Sequence, residues 1–269
     1  MRGIDISNYQ AGLDLARAKS AGIEFAICKL SEGRTYKDKQ FDTFYQQAQS
    51  CDLPLGAYVY SHATSPDGAV AEANTALLLL GGRGLVLGLF MDVETNAQME
   101  IPAVQLKQTV MAFCQTVKEA GYRSGIYGSE YNLWARIAPA DFPDSLIWVA
   151  HYGKQPAFAC DLWQRSDSGS FPGYGGPVDT DEVMSERMRT IVKGEGAKPE
   201  PTPAPAPQPA PAPQPAPAPQ PAAKVTGDVI LLQTAMALDG FWELDKIDGL
   251  NTAAWREAFR SYAEIVAGR

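Results

Sequence analysis

The sequence predicts an α/β protein in three parts: a parallel sheet closed or half-closed into a barrel, a proline-rich linker, and a small all-α module at the carboxyl end. Three observations carry this. Over residues 1–195, short apolar runs alternate with helical stretches, the pattern of strand–helix–strand units whose strands pair in parallel. From Pro199 to Pro221 every second residue is proline, which removes regular backbone donors and favours an extended polyproline II form. Residues 225–269 are too few for a large core and read as a compact helical module. The predicted boundaries are therefore 1–195, 196–224 and 225–269.

Within the first part, Ile4–Ile6 is a strand and Leu13–Ala21 a helix. Phe25–Leu30 is a second strand, Phe41–Ser50 a helix, Leu55–Tyr60 a third strand and Pro66–Leu80 a helix. Leu85–Met91 is an apolar run that stops abruptly at Asp92 and Glu94. With them it reads as a fourth strand, Leu85–Glu94, buried on both faces as parallel strands are. Val104–Ala120 is a long amphipathic helix, and Ser124–Tyr127, Leu146–Ala150 and Asp161–Gln164 are later strands. At about 3.1 Å per residue the linker would reach roughly 70 Å as a semi-rigid spacer.

Composition excludes several classes. The formal net charge is −8, opposite to the clustered basic face of nucleic-acid binders. No apolar run approaches a membrane span, so no membrane insertion is expected. Cys28, Cys51, Cys114 and Cys160 are scattered, without metal-binding spacing. They read as buried free thiols, and no metal or cofactor is expected. The start, Met1–Ser7, lacks the basic segment and apolar core of a secretory signal.

In such barrels chemistry sits at the carboxyl ends of the strands. Standing there are Asp5, Glu32, Tyr58 with Tyr60 and His62, Asp92 with Glu94, Tyr127, His151, Trp163 with Gln164, and Asp179 with Asp181. Asp92 and Glu94 are two apart, so they share one face of the strand. Two acids crowded on one face at the end of a buried strand repel and lose solvation, which raises at least one pKa into the range of a general acid. Carboxylate pairs among aromatic platforms are the equipment for cleaving a glycosidic bond. Trp163 and Gln164 are adjacent, so one of them supports rather than binds. His62 and His151 read as hydrogen-bonded structural groups, and Glu32 equally as a salt-bridge partner or a groove residue.

Gly3-Ile4-Asp5-Ile6-Ser7, Lys29-Leu30-Ser31-Glu32-Gly33, Gly56-Ala57-Tyr58 and Met91-Asp92-Val93-Glu94 stand in register with four later motifs. These are Gly125-Ile126-Tyr127, Ile147-Trp148-Val149-Ala150, Leu162-Trp163-Gln164 and Val178-Asp179-Thr180-Asp181. Over residues 2–185 this resembles glycoside hydrolase family 25, the Chalaropsis-type lysozymes, which include many phage endolysins. The resemblance implies an incomplete, TIM-like β/α barrel. It also implies an N-acetylmuramidase that cuts the β-1,4 bond between N-acetylmuramic acid and N-acetylglucosamine in bacterial peptidoglycan. By motif position Glu94 matches the proton donor, Asp92 its strand partner, and Asp5 and Asp179 the remaining groove acids. Asp181 is the alternative to Asp179, and Tyr58, Tyr127, Trp163 and Gln164 are candidate substrate contacts. Whether Asp92 or Asp179 works through the substrate's 2-acetamido group or directly on the anomeric carbon is left open by the residues.

Ile247-Asp248-Gly249 with Thr252, Ala254 and Phe259 resembles half of a three-helix peptidoglycan-binding domain; self-association is the other reading of this module. A tethered wall binder and the character of the start both fit an endolysin held in a host cytoplasm until a holin opens the membrane. The competing readings are a catalytically silent wall binder and a glycosidase for another wall or chitin linkage.

Overall fold

The computed structural model describes residues 1–195; the proline-rich linker and the module expected to be helical lie outside the described residues. The chain begins with β1 (Arg2–Ile6), α1 (Leu15–Ser20), β2 (Phe25–Glu32) and a two-residue β3 (Tyr36–Lys37). It continues through α2 (Phe41–Ser50), β4 (Leu55–Tyr60), α3 (Pro66–Leu80) and β5 (Gly88–Asp92). Then come α4 (Asn96–Glu100), α5 (Ala103–Glu119), β6 (Ser124–Ser129) and β7 (Leu146–Ala150). A long hairpin of β8 (Leu162–Phe171) and β9 (Tyr174–Val183) follows, and α6 (Glu186–Val192) comes last.

Local chemistry explains the helix ends. Asp14 caps α1 by accepting from the amides of Ala16 and Arg17. α3 has Ser65 at its N-cap, Pro66 in its first turn and Gly81 in the left-handed conformation at its end. α3 has the bounds read from the sequence.

The sheet runs β1-β9-β8-β7-β6-β5-β4-β2-β3, and β1 also pairs with β2. Eight strands therefore close into a ring with β3 appended. The expected barrel is complete in its hydrogen bonding and incomplete in its helices. β6 reaches β7 through a loop containing one 3-10 turn, β7 reaches β8 through a loop, and β8 turns directly into β9. β9 is antiparallel to both neighbours, β1 and β8, whereas the other ring pairings are parallel.

Strand alternation sorts side chains into two layers. Ile4, Ile6, Leu89, Met91, Val93, Ile126, Ile147 and Val149 face outward into the large core shared with the helices. Phe25, Ile27, Phe90, Tyr127, Trp148 and Leu162 face inward into a second cluster, which Met188 and Val192 of α6 join. Trp148 is its centre, with ring centroids of Tyr127, Phe90 and Tyr58 at 4.5, 5.5 and 6.4 Å; each such pair contributes about 0.5–1.5 kcal/mol beyond area burial. Two motif glycines make room for these rings. A Cβ on Gly125 would stand 2.1 Å from the Phe90 ring, and one on Gly3 2.2 Å from Phe25.

The four cysteines are free, as expected, although Cys51 is only partly buried.

Candidate active site

The inner cluster fills the barrel up to the carboxyl ends of the strands, where apolar side chains give way to acids. A cavity of about 510 Å³ opens there, lined by Asp5, Asp92, Glu94, Asp179 and Glu32 among tyrosines. Strand register sets the order around it. Asp92 on β5 stands level with Tyr60 on β4 and Tyr127 on β6. Asp5 on β1 stands directly opposite Asp179 on β9, a placement in which like charges destabilise the pair. Continuing the inward alternation past β5 brings Glu94 to the same cavity as Asp92, as expected from their spacing.

The two acids differ in access. Asp92 is buried, and its Oδ1 has no hydrogen-bond partner. Glu94 reaches solvent through the cleft mouth. Desolvation raises both pKa values, most strongly for Asp92, where the charge of Glu94 adds to it. The Lys29 ammonium opposes the rise at both, and Tyr60 stabilises the Glu94 anion by hydrogen bonding to it.

Across the cleft, Gln164 uses its whole amide. Its Nε2 donates to Asp5 Oδ2 at 2.9 Å and to Asp179 Oδ2 at 3.4 Å. Its Oε1 accepts from Tyr127 at 2.8 Å and Tyr152 at 3.3 Å. Burial, with repulsion from Asp181 and Asp179, holds Asp5 well above the usual carboxylate range. Burial, with Asp167 adding repulsion, pushes Asp179 up to about 6. Asp5, Asp179 and Asp181 thus titrate as one interacting set.

The structure brings Asp5, Asp92, Glu94, Asp179, Tyr58, Tyr127 and Gln164 to one cavity. It does not bring Trp163 there. Trp163 follows the outward alternation of β8 into the helix-facing core, where its Nε1 donates to the carbonyl of His151 at 2.7 Å. Its neighbour Gln164 therefore takes the inward place, and Trp163 is corrected from a substrate contact to a supporting core residue. Asp181 also falls outside the cavity. It is one step deeper than Asp179 on β9, accepts from Trp148 Nε1 at 2.8 Å, and leaves Oδ2 without a partner. Burial pushes it up to about 8. Between the two candidates for the groove acid, Asp179 is the one that lines the cavity.

His151 is structural, bonded through Nδ1 to Glu130 at 2.7 Å and through Nε2 to Tyr131 at 3.0 Å. His62 lines the cavity's edge, paired with Glu32 at 3.1 Å. Among the cavity-lining residues missed as site members are Lys29, Tyr152, Trp148 and Tyr9. Strand parity counted from Asp92 and Tyr127 would have found Trp148; Tyr9 sits in a 3-10 turn (Asn8–Gln10) and Tyr152 in a loop, where strand parity gives no signal.

The arrangement holds several desolvated carboxylates, each held above its ordinary pKa by burial, at the mouth of a closed barrel, and among the described residues no side-chain pair suited to nucleophilic acyl transfer. That chemistry is acid–base cleavage of an acetal, the work of a glycoside hydrolase. The chain belongs to the glycosyl hydrolases family 25, whose family model matches residues 4–174.

It is 30% identical over 185 residues to the autolytic lysozyme of Clostridium acetobutylicum, covering 68% of this chain and 55% of that one. It is 33% identical over 193 residues to the N,O-diacetylmuramidase of Chalaropsis sp, covering 64% and 91%. Among solved structures it is similar to a bacterial lysozyme from Streptomyces coelicolor, with a TM-score of 0.64 and 26% identity over 72% of this chain and 98% of that one. The chain thus spans little more than half the length of the Clostridium relative.

Proposed function

We propose that the protein is a peptidoglycan hydrolase, an N-acetylmuramidase that cuts the β-1,4 bond between N-acetylmuramic acid and N-acetylglucosamine. The observation that carries this is the unequal pair at the end of β5. Glu94 is reachable and its pKa is raised, while Asp92 lies buried beneath it. Glu94 protonates the leaving glycosidic oxygen. Across the cleft Asp179, pushed up only to about 6, carries the negative charge that faces the developing oxocarbenium ion, and Asp92 joins it where the Lys29 ammonium offsets its burial. Gln164 holds Asp5 and Asp179 in place, and Tyr58 and Tyr127 form the wall against which a sugar ring lies. The names of the lysozyme and muramidase relatives support the choice of substrate and bond.

The finer setting we propose is a phage endolysin, released to the wall when a holin opens the host membrane. The proline-rich linker and the tail's likeness to a peptidoglycan-binding domain support it, because a tethered binder raises effective substrate concentration at a polymer. Cells expressing the full chain should stay intact until a holin is co-expressed; lysis without one removes this setting.

The activity is tested by mass spectrometry of borohydride-reduced fragments from purified peptidoglycan, with wild type and Glu94→Gln side by side. Muramitol ends from wild type alone are expected. Glucosaminitol ends would move the bond, and no new reducing ends on several wall types would leave a wall binder.

A further inference from the structure

Lys29 reads from the sequence as one polar residue inside an apolar strand. In the structure it is buried at 8% exposure, and among the described residues lining the cavity it is the one ammonium or guanidinium. Its partner is Glu32, whose Oε2 lies 2.6 Å from Nζ. In a regular strand, residues three apart point to opposite faces. Here the β2–β4 register slips between Lys29 and Ser31, and this irregularity turns Glu32 onto the face of Lys29. The Nζ also stands 4.8 Å from the ring centroid of Tyr60 and 5.9 Å from that of Tyr36. A flexible side chain is thereby fixed at one place, beside the acid pair of β5.

We propose that Lys29 is a positioning residue of the reaction: its fixed ammonium keeps one member of the Asp92–Glu94 pair ionised near neutral pH and so sets the pH window in which the enzyme works. This rests on reading Asp92 and Glu94 as the working pair. Hydrolysis with two carboxyls needs one proton between them, and two desolvated acids at the same strand end both tend to keep theirs. Lys29 lowers the pKa of each, against burial at both, the charge of Glu94 at Asp92 and that of Asp179 at Glu94. The groups facing it are Glu32 on its own strand, Tyr36 on β3, Tyr60 at the end of β4 with His62 just beyond it, and Asp92 at the end of β5 with Glu94 just beyond it, with Asp5 and Asp179 across the cleft. Glu32 acts oppositely to Lys29 at Asp92, raising its pKa.

The test compares pH–rate profiles of full-length wild type, Lys29→Met, Lys29→Arg and Glu32→Gln on purified peptidoglycan. Lys29→Met should move both limbs alkaline by about one pH unit, the smaller end of a single-charge effect; at a fixed pH on the acid limb this is a tenfold loss. KM should stay within about twofold, and Lys29→Arg should restore the limbs. Glu32→Gln should move the acid limb the other way, which keeps the proposal exposed even where Lys29→Met folds poorly. Limbs that stay put under a uniformly lower kcat, or a rise confined to KM, overturn it. Carboxyl 13C titration of Asp92 and Glu94 in the same variants reads the shift without catalysis. It separates failure of this proposal from failure of the muramidase reading: unshifted carboxyls sink the first, and absent cleavage with shifted carboxyls sinks only the second.

Discussion

Asp161 and Asp181 are both buried aspartates on or beside neighbouring strands of the same hairpin, and the fold treats them oppositely. Asp161, at the start of β8, accepts from the amide of Ile147 at 2.8 Å, from Ser185 at 2.6 Å, and from Arg187 through both carboxylate oxygens at 2.6 and 2.5 Å. Asp181, inside β9, has the single Trp148 bond and an empty second oxygen. The difference follows the barrel axis. At the amino ends of the strands an acid is enclosed by donors and ties α6 to the sheet. Toward the carboxyl ends the acids crowd one another, with Gln164, Tyr60 and Lys29 as partial compensation. A chain that can satisfy one buried carboxylate this fully leaves others short where their protons are needed.

The sharpest break of this comparison is at the reactive end. Glu94→Gln keeps shape and removes only the transferable proton, so kcat on peptidoglycan should fall by about 10²–10⁴ with the melting temperature unchanged or slightly raised. A comparable drop in thermal stability would make Glu94 part of the scaffold.

At the other end, Arg187→Ala should leave activity per folded molecule intact and cost stability. Stranding one partner of a buried pair costs about 3–5 kcal/mol. The Arg187 side chain is 46% exposed, and water will solvate part of what it leaves, so about 2–3 kcal/mol is expected in urea denaturation. A loss below about 0.5 kcal/mol would mean that Ser185 and the Ile147 amide suffice for Asp161.

Asp179→Asn and Asp181→Asn separate two acids two residues apart. Asp179 faces the cavity, and losing its charge should lower kcat by about 10–100-fold. Asp181 does not face it, and its variant should retain activity within about threefold. Equal losses would make the pair one functional unit.

Much of this was legible in residue order, because parallel strands buried on both faces announce themselves as apolar runs and because spacing by two fixes a shared face. Asp5, Asp92 and Glu94 were readable for that reason, as were Tyr58 and Tyr127. The hairpin was not. β8 runs on from Gln164 to Phe171 through serines and a glycine, and β9 begins Tyr174-Gly-Gly-Pro, which is the composition of a loop. Along β9 the inward positions are Asp179 and Asp181, so the usual alternation is inverted by the site itself. Choosing Trp163 as a contact was the same error on the neighbouring strand, since the outer face of this barrel is as apolar as the inner and an aromatic fits either. Lys29 shares the inward parity of Phe25 and Ile27, and what the register slip hid was that Glu32 turns to meet it.

The smallest effect is the most direct test of the comparison. Asp179 and Asp181 are raised to about 6 and about 8, against roughly 3.9 for an ordinary aspartate. A carboxyl that holds its proton more tightly folded than unfolded contributes stability that is full below the unfolded pKa and is lost as pH rises through the folded one. Wild-type stability should therefore decline between about pH 4 and pH 8. Asp181→Asn keeps an oxygen for Trp148 Nε1 and places an amide donor where the unpaired oxygen stood, close to Asp5. At pH 7 it should be more stable than wild type by about 1 kcal/mol, taking only one unit of the shift because the set is coupled. Its decline should flatten above about pH 6, leaving the Asp179 part below. Thermal melts of both proteins from pH 4 to 8 read this directly. A variant that melts lower than wild type at every pH would mean that the Asp181 carboxylate is as well served as that of Asp161, and the contrast between the two ends of the barrel would be lost.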